Sequence, residues 1–132
     1  MSLKITLKPG EKVYIGGAVV QNGDTPAEFT IHNDVPLLRE KDILTEEKAD
    51  SVCKQIYLCV QLMYIDAANV SRYQHQYRTL LEQVLSAAPS TVDYLAAMNT
   101  DLACGRYYRA LKNARKLVDY EQELINHARQ SA

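Results

Sequence analysis

Hydrophobic and polar residues alternate at the start of the chain, and after about residue 44 they recur at helical spacing. In "LKITLKPG", Leu3, Ile5 and Leu7 alternate with Lys4, Thr6 and Lys8, the period-2 pattern of a half-buried strand. Pro9-Gly10 ends it. "KVYIGGAVVQNGD" predicts two brief strands around Gly16-Gly17, followed by a tight turn at Asn22-Gly23. "AEFTIHND" predicts another strand and "VPLLRE" a last one. Four of the five glycines and three of the four prolines lie before residue 37. That punctuation predicts a small N-terminal β-barrel or curled antiparallel sheet over about residues 3–40.

The second texture is helical. Thr45 followed by Glu46 and Glu47 reads as an N-cap with carboxylates in the first turn. Ala49, Val52, Cys53, Ile56, Val60 and Met63 then form one apolar stripe, and Val70, Tyr73, Tyr77, Leu80, Leu81 and Val84 a second. Pro89 breaks the pattern. Ser90 or Thr91 can cap a third helix ending at Gly105, and a fourth runs from there to about residue 128. The expected fold is α+β: a β subdomain (1–44) and a helical subdomain of three to four helices (45–132), together one domain.

Composition narrows the function. At 132 residues, 47% hydrophobic and 23% charged, the chain suits a single globular domain. The net charge is only −1, so attraction to a polyanion must come from a local patch. One exists in "GRYYRALKNARKLVDYEQEL". Arg106, Arg109, Lys112, Arg115 and Lys116 face only Asp119 between residues 105 and 120, a local net of +4 that leaves −5 for the remainder. On a helical wheel with Arg106 at zero, Tyr107, Ala110, Leu111, Ala114, Val118 and Ile125 fall within roughly 40–140°. Arg109, Lys112 and Lys116 cluster near about 240–300°, with Arg106 and Arg115 flanking them. Tyr107 reads as core. Tyr108 lies beside Arg115 and Lys112, where it can stack on a base or donate to a phosphate. Three readings fit this face: a solvated helix surface, a polyanion site, or a site for an acidic protein. A second cationic group is Lys4, Lys8 and Lys12 with Arg39 and Lys41, for which edge-strand protection is the simpler account of Lys4 and Lys8.

Catalysis finds little support. His32, His75 and His127 are scattered, and none sits at metal-ligand spacing from cysteine or a carboxylate pair. "YIGGAVVQNG" lacks the features of a phosphate cradle. The expectation is a non-enzyme with no cofactor. Three cysteines without a CxxC pair predict reduced thiols, and nothing resembles a signal peptide or membrane span, so a cytosolic protein is expected.

Four blocks in order, "LKPGEKVYIGGAVVQNGD", "LLREKDILT", "IYLCVQLMYI" and "GRYYRALKNARKLVDYE", resemble the FlbT family of flagellar regulators. The resemblance implies association with the 5′ untranslated region of flagellin mRNA, repression of its translation and promotion of its decay. It also implies work beside the companion flagellar protein FlaF, and no cofactor. Some members act positively, so the sign of regulation stays open, as does self-association. Gly16-Gly17 stands where many relatives carry Asn-Gly. Gly10-Glu11 and Arg39-Glu40 are similar to elements of the carbon storage regulator, another mRNA-binding repressor, and that similarity brings Arg39 into the candidate set. The RNA-contacting set is Arg106, Tyr108, Arg109, Lys112, Arg115 and Lys116, joined by Lys4, Lys8, Lys12 and Arg39. The competing reading is a chaperone or adaptor that binds flagellin or the companion protein FlaF through Tyr57, Met63 and Tyr64.

Overall fold

Five short strands and four α-helices follow one another in a computed structural model that describes residues 2–131. They form two compact units, Met1–Ile43 and Leu44–Ala132.

In the first unit, β1 (Leu3–Leu7) pairs antiparallel with β4 (Ala27–Ile31). A second antiparallel sheet has the order β3 (Ala18–Gln21), β2 (Lys12–Ile15), β5 (Leu37–Arg39). The sheets do not close into a barrel. Their apolar residues share one small core, with Ile5, Leu7 and Val13 buried and Ile15, Ile31 and Leu37 packed against them. The β2–β3 hairpin turns at Gly16-Gly17, whose φ values of 55° and 101° put both residues in the left-handed region that a two-residue hairpin turn requires. Asn22-Gly23, a strong hairpin signal in the sequence, does something else. The Asn22 side-chain amide donates to the carbonyls of Leu7, Lys8 and Thr25, and Gly10 N–H donates to Gly23 O. This segment ties the end of β1 to the chain leaving β3, carrying the backbone from one sheet to the other.

In the second unit, α1 (Val52–Ile65) packs against α2 (Val70–Ala87) and α4 (Tyr107–Ser131), and α3 (Val92–Ala103) packs on α4. Ile56, Val60, Met63, Met98, Ala110, Ala114 and Leu117 are fully or almost fully buried at these seams. The start of α1 differs from the sequence expectation. Residues Glu46–Lys48 form only a 3₁₀ turn after Thr45, and the α-helix begins six residues later, capped by the Ser51 hydroxyl accepting from Lys54 N–H. Two acceptors serve α1's free N–H groups in place of one. Glu121 of α4 takes a hydrogen bond from the Ser51 hydroxyl and another from Cys53 N–H at 3.3 Å. A carboxylate at a helix N-terminus satisfies both the orphan donors and the dipole.

Burial also settles two thiols. Burial pushes the Cys53 thiol up to about 12, helped by Glu121, and the Cys59 thiol up to about 11; Cys104 alone is exposed. A raised pKa leaves almost no thiolate, the reactive form, near neutral pH. Titration of the native protein with an aromatic disulfide reagent at pH 8 is therefore expected to label one thiol quickly. The other two should react only after denaturation.

Candidate nucleic-acid interface

The α3–α4 corner sets where the cationic stretch begins. Helix α3 ends on Gly105 at φ 73°, with Gly105 N–H donating to Leu102 O and Arg106 N–H to Asp101 O. This paired closure is the Schellman arrangement, and glycine supplies the left-handed residue it needs. Asp101, only 5% exposed, accepts from Arg106 Nε at 3.1 Å and Asn113 Nδ2 at 2.7 Å. Arg106 thus braces the corner with one edge of its guanidinium, a contact between groups five residues apart that helical-wheel reasoning does not reveal.

From this corner α4 buries Ala110, Leu111, Ala114 and Leu117 and turns Arg106, Tyr108, Arg109, Lys112, Arg115 and Lys116 to solvent. Three residues leave the predicted apolar stripe. Tyr107 and Val118 are half-buried rather than core, and Ile125 is exposed because α4 runs beyond its neighbours after Glu121. No carboxylate among the described residues lies in ion-pair range of Arg109, Lys112 or Lys116. The first turn of α4 contains no acidic residue and carries Arg109. Helix stability favours the opposite sign there, so these cations are placed against the dipole. A helix N-terminus and its cations instead add up to one positive field.

Aromatic rings line the edge of that field. Tyr108 is 44% exposed; its ring lies 5.5 Å from that of Tyr64 on α1, and Lys112 Nζ sits 5.1 Å from its centroid. Seven residues back along α1 and seven forward along α4, Arg115 covers the buried Tyr57 ring at 5.6 Å. Six further steps along each helix lead to the Ser51–Glu121 contact. One antiparallel register therefore builds the whole α1–α4 seam, from cap to aromatic edge. Tyr64, which sequence reasoning placed among protein-docking anchors, stands against Tyr108 at this edge. Its signal was the seven-residue spacing from Tyr57, which places both rings on one face. Tyr57 and Met63, considered as protein-docking anchors, are buried in the core.

The remaining candidates belong to the β unit. Lys4 pairs with Glu28 at 3.4 Å, and Lys8 and Lys12 are exposed. Arg39 is half-buried: its Nη1 donates to Thr6 O at 3.0 Å and lies 3.4 Å from Glu11, linking the two sheets. The Lys8 backbone N–H, together with Arg39, holds the Glu11 carboxyl below its ordinary range.

Among the described residues no cluster of histidine, cysteine or carboxylate side chains could hold a metal ion, and no helix is long and apolar enough to cross a membrane. The class defined by this geometry is a small α+β protein whose concentrated chemistry is a cationic, tyrosine-edged helix face. The chain belongs to the FlbT family: the model of the family described as "Flagellar protein FlbT" matches residues 3–125. It is 40% identical over 126 residues to the "Probable flagellum biosynthesis repressor protein FlbT" of Rhodopseudomonas palustris strain TIE-1, covering 96% of this chain and 99% of the relative. It is 42% identical to the "Probable flagellum biosynthesis repressor protein FlbT 1" of Bradyrhizobium diazoefficiens, covering 94% and 85%. It is 35% identical to the "Flagellum biosynthesis repressor protein FlbT" of Caulobacter vibrioides strain ATCC 19089, covering 96% and 92%. No solved structure matches the chain.

Proposed function

We propose that this protein is a repressor of flagellum biogenesis that acts after transcription, binding the 5′ untranslated region of flagellin mRNA directly. The names of its relatives support the first part. The second rests on one observation: Arg109, Lys112 and Lys116 stand exposed beside Tyr108, with no carboxylate partner among the described residues, in a chain of net charge −1.

The physical steps are binding steps. Phosphates of the leader neutralise the α4 cations and release their counterions, which supplies affinity without sequence preference. An unpaired base stacks on the half-exposed ring of Tyr108, with Lys112, which lies over that ring in the free protein, moving to a phosphate. Occupancy of the leader competes with ribosome loading, and an untranslated message is open to cellular nucleases. Repression and decay then follow from one contact, with no reaction assigned to the chain.

Removing the ring tests the stacking step. Tyr108→Ala is expected to weaken binding to an unstructured leader fragment by about tenfold, the loss of roughly one base–aromatic contact. Binding to a fully paired duplex of equal length should barely change. Fluorescence anisotropy with both RNAs makes the comparison, and equal losses on the two would remove Tyr108 from the stacking role.

A further inference from the structure

The helical bundle is closed at three seams, α2–α1, α1–α4 and α4–α3, and open at the fourth. Between α2 and α3 lies a groove of about 590 Å³, lined by Leu81, Leu85, Val92, Leu95, Leu102 and Ala103. The Tyr77 hydroxyl donates to Asn99 Oδ1 across it at 2.8 Å. Arg78 and Glu82 stand among the groove's lining residues, one helical turn apart on α2.

The same unit carries a convex apolar feature. Beyond Glu121 every described residue of α4 is exposed, and this tip presents Leu124, Ile125 and Ala128 along one side. Among the described residues of the helical unit the large aliphatic side chains left exposed are four: Leu85 (41%) and Val92 (50%) on the groove, Leu124 and Ile125 (both 37%) on the tip. Charge follows the same division. On the tip Arg129 follows Ile125 by one helical turn, while on α2 Glu82 precedes Leu85 by one turn. A tip lying antiparallel to α2, with Ile125 over Leu85, sets Arg129 against Glu82 at the edge of the apolar contact. A helix in an apolar groove is a common docking mode.

We propose that the α2–α3 groove receives the α4 tip of a second copy of this chain, and that two copies exchange tips reciprocally. A reciprocal contact closes on itself as a two-fold dimer, whereas one-way insertion would propagate. This inference is independent of the RNA reading, since the groove and the tip share no residue with the cationic face.

Sedimentation equilibrium of the full chain after nuclease treatment tests it. Wild type should sediment at twice the chain mass. Leu85→Glu with Val92→Glu, and separately Leu124→Glu with Ile125→Glu, should each raise the dissociation constant more than about tenfold, the range expected for apolar anchors at an interface centre. All four positions are exposed, and helical circular dichroism should be unchanged. Glu82→Arg should weaken the dimer by about threefold, a rim-charge effect, and Arg129→Glu added to it should restore it. A wild-type monomer at about 100 μM, or a dimer indifferent to either pair, overturns the proposal. So does a dimer that needs the groove but not the tip, or a groove filled by a different protein while this chain stays monomeric.

Discussion

Reversing Arg109, Lys112 and Lys116 to glutamate is expected to weaken binding to a flagellin leader RNA by about a hundredfold or more, because three phosphate contacts of roughly 1 kcal/mol each are lost and replaced by repulsion. The log–log dependence of affinity on salt should flatten by about 2, three contacts at roughly 0.7 each on a single strand. The fold should survive. All three side chains are exposed, and none is in an ion pair. Arg109 lies in the first turn of α4 and Lys112 just beyond it, where the helix dipole prefers an acid, so glutamate there is neutral or slightly stabilising. The variant should therefore lose RNA and keep its melting temperature. A variant that melts early would show that these cations serve the fold, and unchanged affinity would remove the face from the account.

The opposite pattern is expected at Asp101. Asp101→Ala should cost about 3 kcal/mol of stability, since it removes two hydrogen bonds to a buried carboxylate at roughly 1.5 kcal/mol each. For a chain of this size that corresponds to a fall in melting temperature of about 10 °C. Both donors lie on the segment that enters α4, so the carboxylate holds the direction in which α4 leaves the corner. Arg106→Ala should be milder, because the Schellman hydrogen bonds at Gly105 remain and Asn113 still meets the carboxylate. Thermal denaturation of the two single variants and the double variant separates these contributions. A loss under 1 kcal/mol for Asp101→Ala would mean that the corner is held by its backbone alone.

Local pattern predicted much of this architecture because local pattern generates it. The alternation at Leu3, Ile5 and Leu7 places β1, the two left-handed glycines place the β2–β3 hairpin, and Pro89 and Gly105 bracket α3. Partners distant in sequence were not legible. Ser51 rather than Thr45 opens α1, and Glu121, 70 residues away, supplies a second acceptor there. Asn22-Gly23 carries a hairpin composition, yet β3 pairs with β2 and β4 with β1, so the dipeptide joins sheets instead. At the candidate site the wheel placed Tyr108 and the cations correctly on an outer face, because that needs only the 3.6-residue period. It assigned no partner to Arg106 or Arg39, and it left Tyr64 in another class, because each meets a side chain or carbonyl from a different element. The α2–α3 groove depends on which seams of a bundle close, a property of packing rather than of any one helix.

The central claim is that the protein touches the flagellin leader with α4. Ultraviolet crosslinking of the purified chain to that leader, followed by mass spectrometric identification of the modified peptide, tests it most directly. The predicted result is a nucleotide adduct on Tyr108, or within residues 106–116, that fades as salt rises. An adduct confined to the β unit, or no adduct until another flagellar protein is added, would contradict it.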